Sequence, residues 1–177
     1  MIIAKFDVPF YAWPTTGAVI AGIFAIFVSW WTLKQQTLLK IKDNCVQLRN
    51  KIDSFTNVLS SICSPHPDFG ESIKNPLDEL WLKYKELMGI IAILKLYKNL
   101  YPLIENLEDI TKEIYEKTAH HLIKYQHYKK YPTKKNEKYC TNAIDYLISV
   151  TNNDRERSSE IDKIYLIWDM ITNALSH

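Results

Sequence analysis

The chain of 177 residues carries 22 Lys and Arg against 20 Asp and Glu, a formal net charge of +2. That near balance excludes a global electrostatic attraction to nucleic acid and leaves only local patches to argue from. Four glycines, seven prolines and 47% hydrophobic residues exclude a turn-rich β fold and supply enough apolar material for one helical core.

Residues 1 to 14 hold one cation, Lys5, and one anion, Asp7, and read as a short tail. Residues 15 to 32 contain no charge. At a rise of about 1.5 Å each they extend ~27 Å as a helix, close to the ~30 Å of a bilayer's hydrocarbon. Tyr11 and Trp13 precede this run and Trp30 and Trp31 close it, the placement of aromatic belts at two membrane interfaces. A cleaved export signal would need small residues at its end, and this run ends in Ser29-Trp30-Trp31. Beyond it lie Lys34, Lys40, Lys42, Arg49 and Lys51 against Asp43. The excess of positive charge is expected to set the tail outside and residues 33 to 177 in the cytoplasm. Cys45, Cys63 and Cys140, widely spaced and without C-x-x-C, suit free thiols in that reducing compartment.

Within the run, Gly17, Ala21, Ala25 and Ser29 recur every four residues with Ala18 and Gly22 beside them, so one helix face is small and the other carries Ile20, Phe24 and Phe27. Small faces let helix backbones approach closely in lipid, where they pack on partners or line a pore.

From Ala18 to Pro65 only Gly22 interrupts helix-compatible sequence, and Leu38, Ile41, Cys45, Leu48, Ile52, Phe55, Leu59 and Ile62 alternate by three and four. This seam predicts that the membrane helix continues unbroken to Ile62, the narrow stripe packing on the chain's own domain in preference to an intermolecular coiled coil. A loop at 63 to 70 follows. Asn75 is expected to cap a second helix with Pro76 at its first position, burying Leu77, Leu80, Trp81, Tyr84, Leu87, Met88 and Ile91. The run Gly89-Ile-Ile-Ala-Ile-Leu94 is apolar nearly all round and is expected to be the most buried part of the domain.

Pro102 opens a third helix reading Leu103, Leu107, Ile110, Ile114, His121 or Leu122, and Tyr125; Pro132 stops it. A fourth runs from about Lys134 to Val150 on Tyr139, Ala143, Tyr146, Leu147 and Val150. A fifth starts after Asn153, with Glu156 as its capping-box partner, and reads Ile161, Ile164, Tyr165, Trp168, Ile171 and Leu175. Short connections make successive helices antiparallel neighbours. The expected fold is all-α: a single N-terminal transmembrane helix continuing into a cytoplasmic helical bundle.

Chemistry is sparse. Cys63-x-x-His66-x-Asp68 matches no common metal spacing, and His120 and His127 share a face without a third ligand. Nucleotide, zincin and hydrolase signatures are absent from the sequence. The HEPN ribonucleases, themselves helical bundles, are recognised by an Arg followed four to six residues later by His. Arg49, Arg155 and Arg157 have no such His, and Lys117-Thr-Ala-His120 is too short an imitation. No enzyme activity and no cofactor is expected. One local patch stands out: Lys124, Lys129, Lys130, Lys134, Lys135 and Lys138 against Glu137, interleaved with Tyr125, Tyr128, Tyr131 and Tyr139. Such a hairpin can hold a phosphate backbone and stack bases or bind anionic lipid head groups, though the expected helix order puts its turn at the end far from the bilayer, and an ordinary solvated hairpin has the same composition.

One N-terminal span, the helix continuing from it, a bundle without a working HEPN pattern and a Lys-, Tyr- and Ile-rich composition resemble the small membrane accessory proteins of type VI-B CRISPR systems. The resemblance is one of layout, on no short motif. It implies a degenerate, HEPN-like bundle and a ring-like homo-oligomer that forms a pore in the bilayer. It further implies loss of membrane potential as the output, strengthening antiphage defence after an RNA-guided ribonuclease finds its target, with the ribonuclease, its RNA product or a change in lipid as the alternatives for what is sensed. The alternative is a membrane-anchored, non-enzymatic adaptor that binds a protein or RNA partner.

Overall fold

The computed structural model describes residues 13–63, 75–151 and 159–176, without the side chains of 13–16, 134–136 and 176. Five α-helices make up the described residues: α1 (Trp13–Cys63), α2 (Pro76–Leu94), α3 (Tyr101–Lys130), α4 (Lys134–Thr151) and α5 (Glu160–Ser176). No strand occurs among them. The all-helical expectation stands, and α1 runs without a break through both the apolar segment and the predicted seam. It begins two residues earlier than the predicted Thr15.

The chain divides into two units, Met1–Asp43 and Asn44–His177. In the first, the described side chains from Gly17 to Lys40 are all exposed. Thr32 and Thr37 turn their hydroxyls back to the carbonyls of Val28 and Leu33, at 2.8 and 2.9 Å. That internal bond satisfies each hydroxyl without water.

In the second unit the seam behaves as predicted from Cys45 onward. Cys45, Leu48, Ile52, Phe55, Leu59 and Ile62 are buried within the domain, and Val58 joins them. Leu38 is exposed and Ile41 half-buried, so the seam's first two positions stay outside this core. Polar contacts join α1 to its neighbours. Lys51 pairs with Glu86 of α2 at 2.9 Å, and the Tyr165 hydroxyl of α5 donates to Asp53 at 2.8 Å and shares a hydrogen bond with Thr56 at 2.9 Å. The Arg49 guanidinium lies over the rings of Tyr165 and Trp168, 4.7 and 5.8 Å from their centroids.

Helix α3 is the hub, packing against α2, α4 and α5, whereas α2 and α5 are not neighbours among the described residues. Its buried stripe is Ile104, Leu107, Thr111, Ile114, Thr118, Leu122 and Tyr125. This corrects the predicted register in part: Leu103 and Ile110 are only half-buried, and Ile104 with two threonines takes their place. Apolar content alone points to Leu103 and Ile110, but a stripe that must face three helices follows the seven-residue spacing even where it meets Thr.

Three further expectations change. Asn75 occupies the cap position of α2 without a side-chain hydrogen bond there, Pro76 serving as the first helical residue. Asn153 and Glu156 lie outside the described residues. The box that starts α5 is Ser159 with Asp162: the Ser159 amide donates to the Asp162 carboxylate at 3.0 Å, and the Asp162 amide to the Ser159 hydroxyl at 3.1 Å. Tyr139, expected in the α4 core, is exposed, while Ala143, Leu147 and Val150 are buried as read and Cys140 joins them.

The largest correction concerns α2. Leu80, Leu87, Ile91 and Leu94 are buried, but Gly89, Ala92 and Ile93 are exposed, so half of the run expected to be innermost faces outward. Leu82 is 52% exposed, Ile93 43% and Leu96 just past the helix 80%, and Trp81 is exposed too. Helix α5 repeats the pattern, burying Ile164, Ile167 and Ile171 while Leu166 is 64% and Met170 47% exposed. Both helices are apolar on two faces, and the domain covers one of each.

Candidate functional site

The first candidate is the apolar half of α1. It is long and apolar enough to cross a membrane, and none of its most apolar stretch is buried. Val19, Ile20, Ile23, Phe24, Ile26, Phe27, Trp30 and Trp31 are all exposed. Gly17, Ala18, Ala21, Gly22, Ala25 and Ser29 lie on the helix as predicted, every one exposed. With 3.6 residues per turn they occupy a sector of roughly 140°. A Cβ placed on Gly17 or Gly22 meets nothing within 4 Å, so a second backbone has room there. Phe27 packs on Trp30 and Trp31 at centroid distances of 6.2 and 6.4 Å, and Lys34 Nζ sits 5.5 Å from the Trp30 ring. Aromatic rings with a Lys beside them therefore cluster at this end of the run. At the other end Trp13 begins α1, but its side chain, like Tyr11, lies outside the described residues.

The second candidate is the α3–α4 hairpin. Lys129, Lys130 and Lys138 are exposed and Lys124 half-buried; Lys134 and Lys135 stand in the first turn of α4, their side chains outside the described set. Lys124 Nζ lies 5.9 Å from the Tyr139 ring and Lys130 Nζ 5.5 Å from Tyr131. Tyr131 and Tyr139 are exposed. Tyr125 is buried in the core, which removes it from any stacking surface and leaves Tyr128, Tyr131 and Tyr139.

A third feature was not legible beforehand. Inside the bundle His121 stacks on Tyr146, and the Thr111 and Thr118 hydroxyls, His121 Nδ1 and the Tyr146 hydroxyl are buried without a hydrogen-bond partner among the described residues. Burial pushes the Tyr146 phenol up and the His121 imidazole down, the latter helped by the charges of His120, Lys124 and Lys117. Both shifts favour the neutral forms of these groups. The only sequence signal was Thr at two positions of the α3 stripe.

Cys63 is buried at the end of α1, its thiol pushed up to about 12 by burial; His66 and Asp68 lie outside the described residues. No group of three or more His, Cys, Asp or Glu with metal-binding geometry occurs among the described residues. A cleft of about 280 Å³ lies between the start of α2 and Gln126, lined by Asn75, Pro76, Leu77 and Asp78. It holds a single carboxylate. Comparison of the chain with known protein families, with curated proteins and with solved structures finds no match.

Proposed function

We propose that this chain is a single-pass protein of the bacterial inner membrane whose copies assemble into a pore or depolarising effector in support of RNA-guided antiphage defence. Residues 15 to 32 span the bilayer, the N-terminal tail lies outside, and the degenerate HEPN-like bundle of residues 33 to 177 lies in the cytoplasm. One observation carries this reading: an uncharged helical stretch with all its bulky apolar side chains exposed. In water each such side chain costs about 1.5–3 kcal/mol relative to burial. Lipid removes that cost, and the small-residue sector supplies the contact through which copies meet. A pore built from it carries no ring of charge, so it conducts weakly and opens by wetting. Type VI-B accessory proteins share the layout, and their RNA-guided ribonuclease or its RNA is the partner implied. The test is reconstitution into dye-loaded vesicles. Dye release that scales with inserted protein is the expected result; an intact dye gradient at full insertion overturns the pore.

The hairpin's exposed Tyr131 and Tyr139 beside lysines favour a second reading, an anchored adaptor that binds RNA or a protein without enzymatic action. Replacing the span by poly-Leu separates the two. The adaptor survives that replacement and the pore does not. Charge reversal at Lys129, Lys130, Lys134 and Lys135 abolishes the adaptor's binding and leaves dye release unchanged.

A further inference from the structure

We infer that the turn between α2 and α3, residues 95 to 100, rests on the headgroup layer of the bilayer, with Leu96 reaching the acyl boundary and Lys98 among anionic phosphates. The inference rests on the single-pass reading above and adds a second, interfacial contact with lipid.

Exposure singles out this turn. Leu96 is 80% exposed, more than any other large apolar side chain among the described residues; Ile26, the highest in the apolar half of α1, reaches 72%. Ile93 and Tyr101 on either side of the turn are exposed too.

Helix directions place the turn within residues 44 to 176. Asp53 and Arg49 of α1 meet Tyr165 and Trp168 of α5, so α5 runs against α1. Glu113 feels Lys163 and Lys117 feels Glu160, so α5 also runs against α3, and α3 therefore runs with α1. Tyr84 stacks on Tyr115 and Lys95 pairs with Glu108, so α2 runs against both. Counted from the Lys51–Glu86 pair, Asn44 is level with Ile93; counted from Asp53–Tyr165 it is level with Ala174, each to within about a helical turn. One end of this unit thus carries the entry of α1 at Asn44, the α2–α3 turn and the last turn of α5. The α3–α4 hairpin stands at the other end, the length of α3 away, about 45 Å. The chain that enters at Asn44 leaves the uncharged run at Thr32, twelve residues before. The span therefore tethers the Leu96 end to the bilayer, not the hairpin end.

Charge and backbone fit that surface. From Leu87 to Ile104 the sequence holds Lys95 and Lys98 and no Asp or Glu, and no Asp or Glu follows Asp169. The first acids beyond the turn, Glu105 and Glu108, are held by the Tyr101 hydroxyl and by Lys95. Asp43, beside the entry point, is outnumbered by Lys40 and Lys42. Such an end meets anionic headgroups with attraction. The amides of Lys95, Leu96, Tyr97, Leu100 and Tyr101 all donate to carbonyls of the turn or of the end of α2, so this backbone enters the headgroup layer without stranding those donors. Lys95 Nζ lies 5.7 Å from the Tyr101 ring, a cation beside an amphipathic ring as membrane interfaces favour.

The test uses the full chain in phosphatidylcholine vesicles with and without phosphatidylglycerol. Leu96→Cys and, as control, Tyr131→Cys carry a polarity-sensitive fluorophore, and its quenching by a lipid with a nitroxide on the headgroup is read. Cys45, Cys63 and Cys140 are buried and stay unlabelled. The label at 96 is expected to be blue-shifted and quenched, more strongly with phosphatidylglycerol, and the label at 131 to be neither. Lys98→Glu is expected to lower the docked-to-free ratio of the 96 label at least about fivefold in vesicles with phosphatidylglycerol; an unchanged ratio overturns the assignment to anionic lipid. Alkaline carbonate reports insertion separately. Protein released by carbonate overturns the span and this inference with it, whereas retained protein with an unquenched 96 label overturns the inference alone. Quenching at 131 in place of 96 reverses the bundle and counts equally against it. A 96 thiol that the detergent-extracted protein already hides from maleimide belongs to a protein contact, and the turn is then not lipid-facing.

Discussion

His121 lies against the ring of Tyr146, with centroids 4.5 Å apart and planes 23° from parallel, and each offers a buried polar atom that finds no hydrogen-bond partner among the described residues. This joins α3 to α4 by ring area and leaves the polar edges unsatisfied. Burial first, and then the positive charge that His120, Lys124 and Lys117 can carry, lower the His121 pKa below the ordinary imidazole value. A depressed imidazole pKa means that the unfolded chain binds a proton which the folded chain refuses. Stability is therefore full above the ordinary His range and falls as pH drops through it, until the folded pKa is passed. Urea midpoints from pH 7.5 to 5 are expected to fall, and His121→Phe is expected to flatten that limb. An equally steep limb in the variant counts against this account.

The unpaired hydroxyls make a second prediction. Removing a buried polar atom that has no partner forfeits no hydrogen bond and relieves its desolvation. Thr118→Val, Thr111→Val and Tyr146→Phe are each expected to be neutral or stabilising by up to about 1 kcal/mol. A loss above that value in thermal or urea unfolding would reveal a partner, such as a buried water.

At the α1–α5 contact the opposite holds. Tyr165 bonds Asp53 and Thr56 through one hydroxyl, so Tyr165→Phe removes a partner from each and is expected to cost about 1–2 kcal/mol. Arg49→Lys keeps the charge beside Asp53 but loses the flat guanidinium over Tyr165 and Trp168, and should cost less. A double-mutant cycle between Asp53→Asn and Tyr165→Phe checks the coupling; additive effects would show that the two do not act together.

Burial raises all three thiols, Cys63 to about 12 and Cys45 and Cys140 less far. At pH 8 roughly one Cys63 in ten thousand is thiolate, the form that alkylates. Iodoacetamide is expected to leave the folded protein unlabelled and to modify three sites in denaturant. Rapid labelling of Cys63 in the folded state would show that the end of α1 opens.

In the apolar half of α1, replacing Ala21 and Ala25 by Leu fills the small-residue sector while raising hydropathy. Membrane insertion is expected to persist and the mass of the extracted particle to fall. An unchanged particle would show that this sector touches no other copy.

Much of this arrangement was legible from periodicity. The seam from Cys45 to Ile62 and the helix boundaries at Pro76 and Lys134 follow from spacing and from Pro, because these act locally. What escaped was decided by neighbours. Gly89 to Leu94 is apolar around the whole circumference, so its pattern cannot tell which side the domain covers, and apolar content alone overstates its burial. The buried threonines of α3 escaped for the converse reason: a helix facing three others has more inward positions than its apolar residues can fill. The pairing of His121 with Tyr146 arises from helices meeting across the bundle, which no local spacing records.

Gly89 lies mid-helix, needs no special backbone angle and has nothing beyond its Cα for 4 Å. Alanine there would strengthen α2 by about 1 kcal/mol. Nothing within the domain holds that position open, so selection for heat resistance alone would accept Gly89→Ala.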